Sequence, residues 1–132
     1  MNDTRHSIGA ALINDAGVTA LVHGRVYFSL GPDGATMPYV VFQQQSENDV
    51  WAMGGRRYQT TEWLVKALAE DLSDAEDVEA ACTAALDNVA WPMTTHTLIS
   101  CRRVGGLRYS ERDAGKTIWH IAGRYMIEVS AP

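Results

Sequence analysis

Across 132 residues the chain carries two cysteines, four prolines and four histidines, no low-complexity tract, and no apolar run that approaches a membrane span. Each shortage removes a class of protein. Two thiols, Cys82 and Cys101, cannot build a disulfide framework and read as core residues of a protein kept in a reducing compartment. Residues 1–22 hold no basic start followed by a continuous apolar segment, because Gly9, Asn14, Asp15 and Gly17 interrupt it. Neither a signal peptide nor a membrane partner is therefore expected. The expected place of action is inside a cell, or in a particle assembled there.

Catalytic patterns are also missing. His6, His23, His96, His120 and the two cysteines show none of the paired spacing that zinc sites use. Gly115-Lys116-Thr117 imitates the end of a phosphate-binding loop, but Ser110 stands where that loop needs its first glycine and a strand follows instead of a helix. No serine lies in a Gly-x-Ser-x-Gly turn. The acids between Glu70 and Glu79 could supply a general acid–base pair, but they are more simply a capped, solvated helix start. The expectation is no catalytic residue, no cofactor and no metal.

What is present is a chain that can fold. The content is 46% hydrophobic and 20% charged, which suits an ordered globular chain, and the length suits one domain over 1–132. The longest clean pattern is Lys116–Ser130. Thr117, Trp119, Ile121, Gly123, Tyr125, Ile127 and Val129 fall on one parity and a wetter set on the other, as in a strand with one buried face. Gly123 is a place for it to bend. Asp113-Ala114-Gly115 is a turn signal, and Thr95–Arg103 before it is strand-like, so the end of the chain reads as a hairpin.

Toward the start, Ser7 reads as the N-cap of a helix carrying Ile8, Ala11 and Leu12, with Asn14-Asp15 breaking or re-capping it and a short turn ending at a Gly24 C-cap. Arg25–Phe28 and Tyr39–Gln45 read as strands, the second apolar enough at its start for burial on both faces. Arg57–Ala67 resumes strand character after a loop at Ser46–Gly55. A capping box at Ser73-Asp74-Ala75-Glu76 opens a helix with Val78, Ala81, Cys82, Ala85 and Leu86 on one face. The expected fold is α+β, a mainly antiparallel sheet of about five strands with two helices on one face, in the order α-β-β-β-α-β-β.

Two features suggest contact surfaces. Trp51 and Met53 sit in the polar loop, beside Arg56 and Arg57, and either fold back onto the core or anchor a partner. Charge is also uneven: residues 1–97 hold thirteen acids and five bases, residues 98–132 three acids and six bases. The two sets are either solvated faces or complementary halves of a head-to-tail contact, with Glu76 and Asp77 on one side and Arg102, Arg103 and Arg108 on the other.

Gly24-Arg25-Val26-Tyr27, a Gly/Pro-bearing loop, Met37-Pro38-Tyr39-Val40-Val41-Phe42, a charged strand around Arg57-Tyr58-Gln59, a helix rich in Ala and Glu, and a Tyr-Ser-Glu-Arg-Asp-Ala-Gly hairpin follow in order. In that order they resemble the tail-terminator (tail-completion, minor tail) proteins of long-tailed phages and gene-transfer particles. The acidic stretch Glu70–Glu79 departs from the family pattern. The resemblance implies a structural virion protein, assembled in the host cytoplasm, that closes as a homo-oligomeric, hexameric ring. It implies a place at the head-proximal end of the tail, where the ring stops tail-tube polymerisation. Its implied partners are the tail tube protein and a head-neck (stopper or connector) protein, with DNA passing through the lumen without specific binding. The alternatives are another neck or tail-tube subunit, or a small-ligand binding module.

Overall fold

The computed structural model describes residues 2–32 and 34–130, with the side chains of Asn2, Ala52, Arg56 and Arg57 outside that description. Helices α1 (Asn2–Ile13) and α2 (Ala16–Val22) precede strands β1 (Val26–Phe28), β2 (Tyr39–Ala52) and β3 (Gly55–Ala69). Helix α3 (Leu72–Leu86) then leads to β4 (Leu98–Asp113) and β5 (Lys116–Ser130). The sheet order is β1-β2-β3-β5-β4, with β1 parallel to β2 and the other pairs antiparallel. The α+β class and five strands agree with the sequence reading. The helix count does not: among the described residues there are three, because the segment after Asp15 is a helix of its own.

Asp15 creates that extra helix. Its side chain accepts the Val18 N–H at 3.0 Å, the bond an N-cap makes. The C-cap is His23, in the left-handed region at φ 53, one residue before the expected Gly24. Ser7 caps nothing; it lies inside α1 and is buried. The start of α1 is held instead by Asp3, through tertiary bonds described below. In α3 the cap is Asp71, whose side chain accepts the Ser73 N–H at 2.8 Å, so the helix begins two residues ahead of the Ser73 box.

All three helices cover one face of the sheet. Ile8 and Leu12 of α1, Val18 and Val22 of α2, and Val78, Cys82, Ala85 and Leu86 of α3 share one core with Val40, Phe42, Trp63, Val65, Tyr125, Ile127 and Val129. The β5 parity read from sequence is the buried one: Tyr125, Ile127 and Val129 are almost fully enclosed. Small residues on α3 let it approach closely, and the Tyr125 hydroxyl reaches Thr83 at 3.0 Å. Trp63, also fully enclosed, donates its indole N–H to the Thr61 hydroxyl at 2.9 Å. Val40, Val41 and Phe42 are buried on both faces, as their unbroken run suggested.

Both hairpins are longer than their hydrophobic patterns. The Ser46–Gly55 loop is mostly strand: β2 and β3 stay paired to Ala52 opposite Gly55, with register shifts near Gln45 and Val50. Met53 and Gly54 alone make the turn, where Gly54 and Gly55 take φ of 93° and 128°, conformations that side chains other than glycine resist. At the end of the chain, β4 starts at Leu98 and runs on to Asp113, well past the expected Arg103.

Candidate assembly surfaces

Trp51 lies one residue from the end of β2 and Met53 in the turn. Among the described residues β5 pairs with β3 as far as Tyr58, opposite Ser130, and the β2–β3 hairpin continues past that level to its turn. Trp51 is 67% exposed and Met53 94%. The reading in which Trp51 folds onto the core is therefore excluded. The neighbouring side chains of Arg56 and Arg57 fall outside the described residues.

The charged candidates are placed differently. Arg103 points into the helix face, where its Nη2 meets Glu79 at 2.9 Å and its backbone N–H donates to Asp87 Oδ1 at 2.7 Å. Its guanidinium occupies a hollow left by two glycines. A Cβ at Gly106 would stand 2.7 Å from Arg103 Nη2, and one at Gly123 3.1 Å from its Nε and 3.0 Å from the Tyr125 ring. Arg108 pairs with Glu76 at 3.3 Å and Lys116 with Glu70 at 3.2 Å, both at the surface. The acidic helix and the basic hairpin thus meet within one chain. Asp77 and Arg102 are exposed and take no part in these pairs.

A second clamp was invisible in the sequence. The Asp3 carboxylate accepts the backbone N–H groups of Thr94, Thr95 and His96 at 2.9–3.0 Å and contacts His96 Nδ1 at 3.2 Å. Burial pushes the Asp3 carboxyl up, but these donors outweigh it and hold the group well below the usual carboxylate range. The clamp ties the first turn of α1 to the segment that enters β4. Ninety residues of separation left no local signal for it.

His96 and His120 do not meet across the hairpin. His120, buried on the sheet face away from the helices, stacks on Tyr109 at 4.4 Å and bonds Glu111 through Nε2. Burial, followed by the Glu111 bond acting against it, leaves its pKa below the ordinary value. Burial also pushes both cysteine thiols up to about 12, which keeps them protonated and unreactive. Among the described residues no three His, Cys, Asp or Glu side chains are grouped to hold a metal. A cavity of about 640 Å³ lies between the 34–38 loop, the start of α3 and the β4–β5 turn, and is lined by Glu70, Asp71, Asp74, Asp113 and Lys116 together with apolar residues such as Met37, Pro38 and Ile118. No described helix is long and apolar enough to cross a membrane.

Uncovered apolar side chains concentrate at three places: the hairpin tip, β4 (Ile99, Val104, Leu107, Tyr109) and the Phe28-Leu30 segment. That distribution fits a protein whose surfaces are completed by other chains. The fold is shared with solved structures. A chain from the virion of a native gene transfer agent particle superposes with TM-score 0.79 at 17% identity, over 98% of this chain and 96% of that one. A more distant solved chain reaches TM-score 0.60 at 12% identity, over 96% of this chain and 94% of that one. No curated protein matches. Residues 6–127 match the family described as Tail completion protein gp17; the chain belongs to that family and is a structural protein of a phage-type tail.

Proposed function

We propose that the chain is a tail terminator: several copies, six by the family resemblance, close as a ring on the head-proximal end of the tail tube. The ring stops further addition of tube subunits and offers its other surface to the head-neck protein, while DNA passes through the lumen. The role is structural, with no catalytic step. Assembly takes place in the host cytoplasm.

The observation that carries this reading is the β2–β3 tip. A paired two-stranded hairpin holds Trp51 and Met53 in solvent at one end of the sheet, and large exposed side chains such as these are the residues that anchor protein contacts. The ligand-module alternative has less support, because the cavity beside the start of α3 brings four carboxylates and a lysine to its mouth, more charge than the few placed polar groups of a small-molecule site. A neck or tail-tube subunit is the other reading that these surfaces allow.

Mass measurement of the purified protein, alone and with its tail-tube protein, separates these roles. A terminator forms a closed ring whose formation is promoted by tube ends. A tube subunit polymerises without limit, and a protein that stays monomeric with tube present contradicts the proposal.

A further inference from the structure

Five methionines are spread along the chain, and four of them lie among the described residues. Met37, Met93 and Met126 are half-buried, Met93 against the core. Met53 stands apart at 94% exposure. It opens the two-residue turn of the β2–β3 hairpin, and the next two positions, Gly54 and Gly55, have no side chain with which to shield its sulfur. Their positive φ keeps larger residues out of those places.

The other sulfur groups are closed to an oxidant. Cys82 and Cys101 are each 2% exposed, and burial pushes both thiols up to about 12, so neither supplies the thiolate that reacts with peroxide. Oxidation of methionine follows the exposure of the thioether. Among the described residues, the one sulfur fully open to solvent therefore sits beside Trp51 on the surface read above as the partner contact.

We propose that Met53 is an oxidation site that governs assembly: hydrogen peroxide converts its thioether to the sulfoxide ahead of the other described methionines, and the oxidised tip loses its hold on the tail tube. The assembly half rests on the reading of the tip given above. In the step, the sulfur lone pair takes one oxygen of the peroxide and the O–O bond breaks as the S–O bond forms. Sulfur gives up two electrons, and the other oxygen leaves as water with both protons. The thioether is flexible apolar surface that suits a contact. The sulfoxide oxygen is a polar acceptor, and burying it without a donor carries a desolvation cost. A seated tip covers the same sulfur, so the free chain is sensitive and the assembled chain is shielded. Sulfoxide reductases return the thioether, which makes the loss reversible.

The test treats the whole protein with hydrogen peroxide, free and bound to tail tubes, and follows each methionine by peptide mass spectrometry. In the free chain Met53 is expected to take up oxygen about tenfold or more faster than Met37, Met93 and Met126, and to slow by a similar factor when bound. Thermal unfolding should stay as in the untreated chain. Tubes polymerised with the oxidised chain should grow past the length that untreated protein sets, and methionine sulfoxide reductase should restore the arrest. The Met53→Leu chain should give the same tube lengths before and after peroxide. Another methionine oxidised first, arrest that survives full oxidation of Met53, or a fall on peroxide treatment that is equal in Met53→Leu overturns the proposal and leaves the tip reading standing. Untreated wild-type protein that fails to arrest tubes overturns the tip reading and, with it, the assembly half of the proposal.

Discussion

The two hairpins are built alike and used differently. Each joins two strands of fourteen to sixteen residues through a two-residue turn. The β4–β5 hairpin is fastened to α3 by Arg103 to Glu79 and Asp87, by Arg108 to Glu76 and, past the turn, by Lys116 to Glu70. The end of the β2–β3 hairpin carries Trp51 and Met53 into solvent. The charge asymmetry that draws attention in the sequence is largely taken up in pairs within the chain, and the less conspicuous tip is the surface proposed for a partner.

Two tryptophans on that hairpin sharpen the contrast most. Trp63 is enclosed among Phe28, Phe42 and the helix face, so Trp63→Ala should cost about 3–5 kcal/mol in chemical denaturation. Trp51→Ala should change stability by less than about 0.5 kcal/mol. Its loss should instead appear as assembly weakened by about 2 kcal/mol. Equal stability losses for the two would erase the distinction between core and tip.

The Asp3 clamp comes next. With its carboxyl held low in the folded state, the stabilisation is complete above the unfolded-state value near ~3.9 and is lost as pH falls through the depressed folded value. Asp3→Asn should lower stability by about 1–3 kcal/mol at neutral pH. It should also flatten the acid limb of the stability profile below about pH 4, which thermal unfolding across pH would show. A variant with the same acid limb as the wild type would mean the carboxylate is not clamped in solution.

Arg103→Ala removes a guanidinium set between glycines and bonded to a mostly buried Glu79, with an expected cost of about 1–2 kcal/mol in denaturant unfolding. The smallest effect belongs to Glu76→Lys with Asp77→Lys. The Glu76–Arg108 pair is about half exposed at both ends, so less than about 1 kcal/mol should be lost. Added salt should shrink that difference further. Ring closure should persist in this variant, because Glu76 is already engaged by Arg108 of its own chain.

How far the sequence announced these features depends on whether the determining interaction was local. The β5 face, the doubly buried start of β2 and the Asp15 re-cap were legible, since alternation and capping act over a few residues. The ends of β2 and β4 were not. A solvated edge strand needs no apolar alternation, so Ser46-Glu47-Asn48-Asp49 and Val104-Gly105-Gly106 read as loop or breaker although backbone pairing carries them as strand. Asp71 displaced the Ser73 box because both are capping residues two positions apart, and local chemistry does not rank them. Trp51 and Met53 stood out as candidates, but their exposure follows only from the place of the hairpin tip in the fold. Arg103 could not be separated from Arg102 by composition; the Gly106 and Gly123 hollow that receives it forms only when β4 and β5 pair.

The central claim is that this chain caps a tube through the β2–β3 tip, and tube length tests it directly. Tail-tube protein polymerised with the wild-type chain should give tubes of arrested length with a ring visible at one end by electron microscopy. With the Trp51→Ala chain, equally folded, tubes should grow on past that length. Tubes of the same length with wild type, with Trp51→Ala and with no added protein would contradict the account.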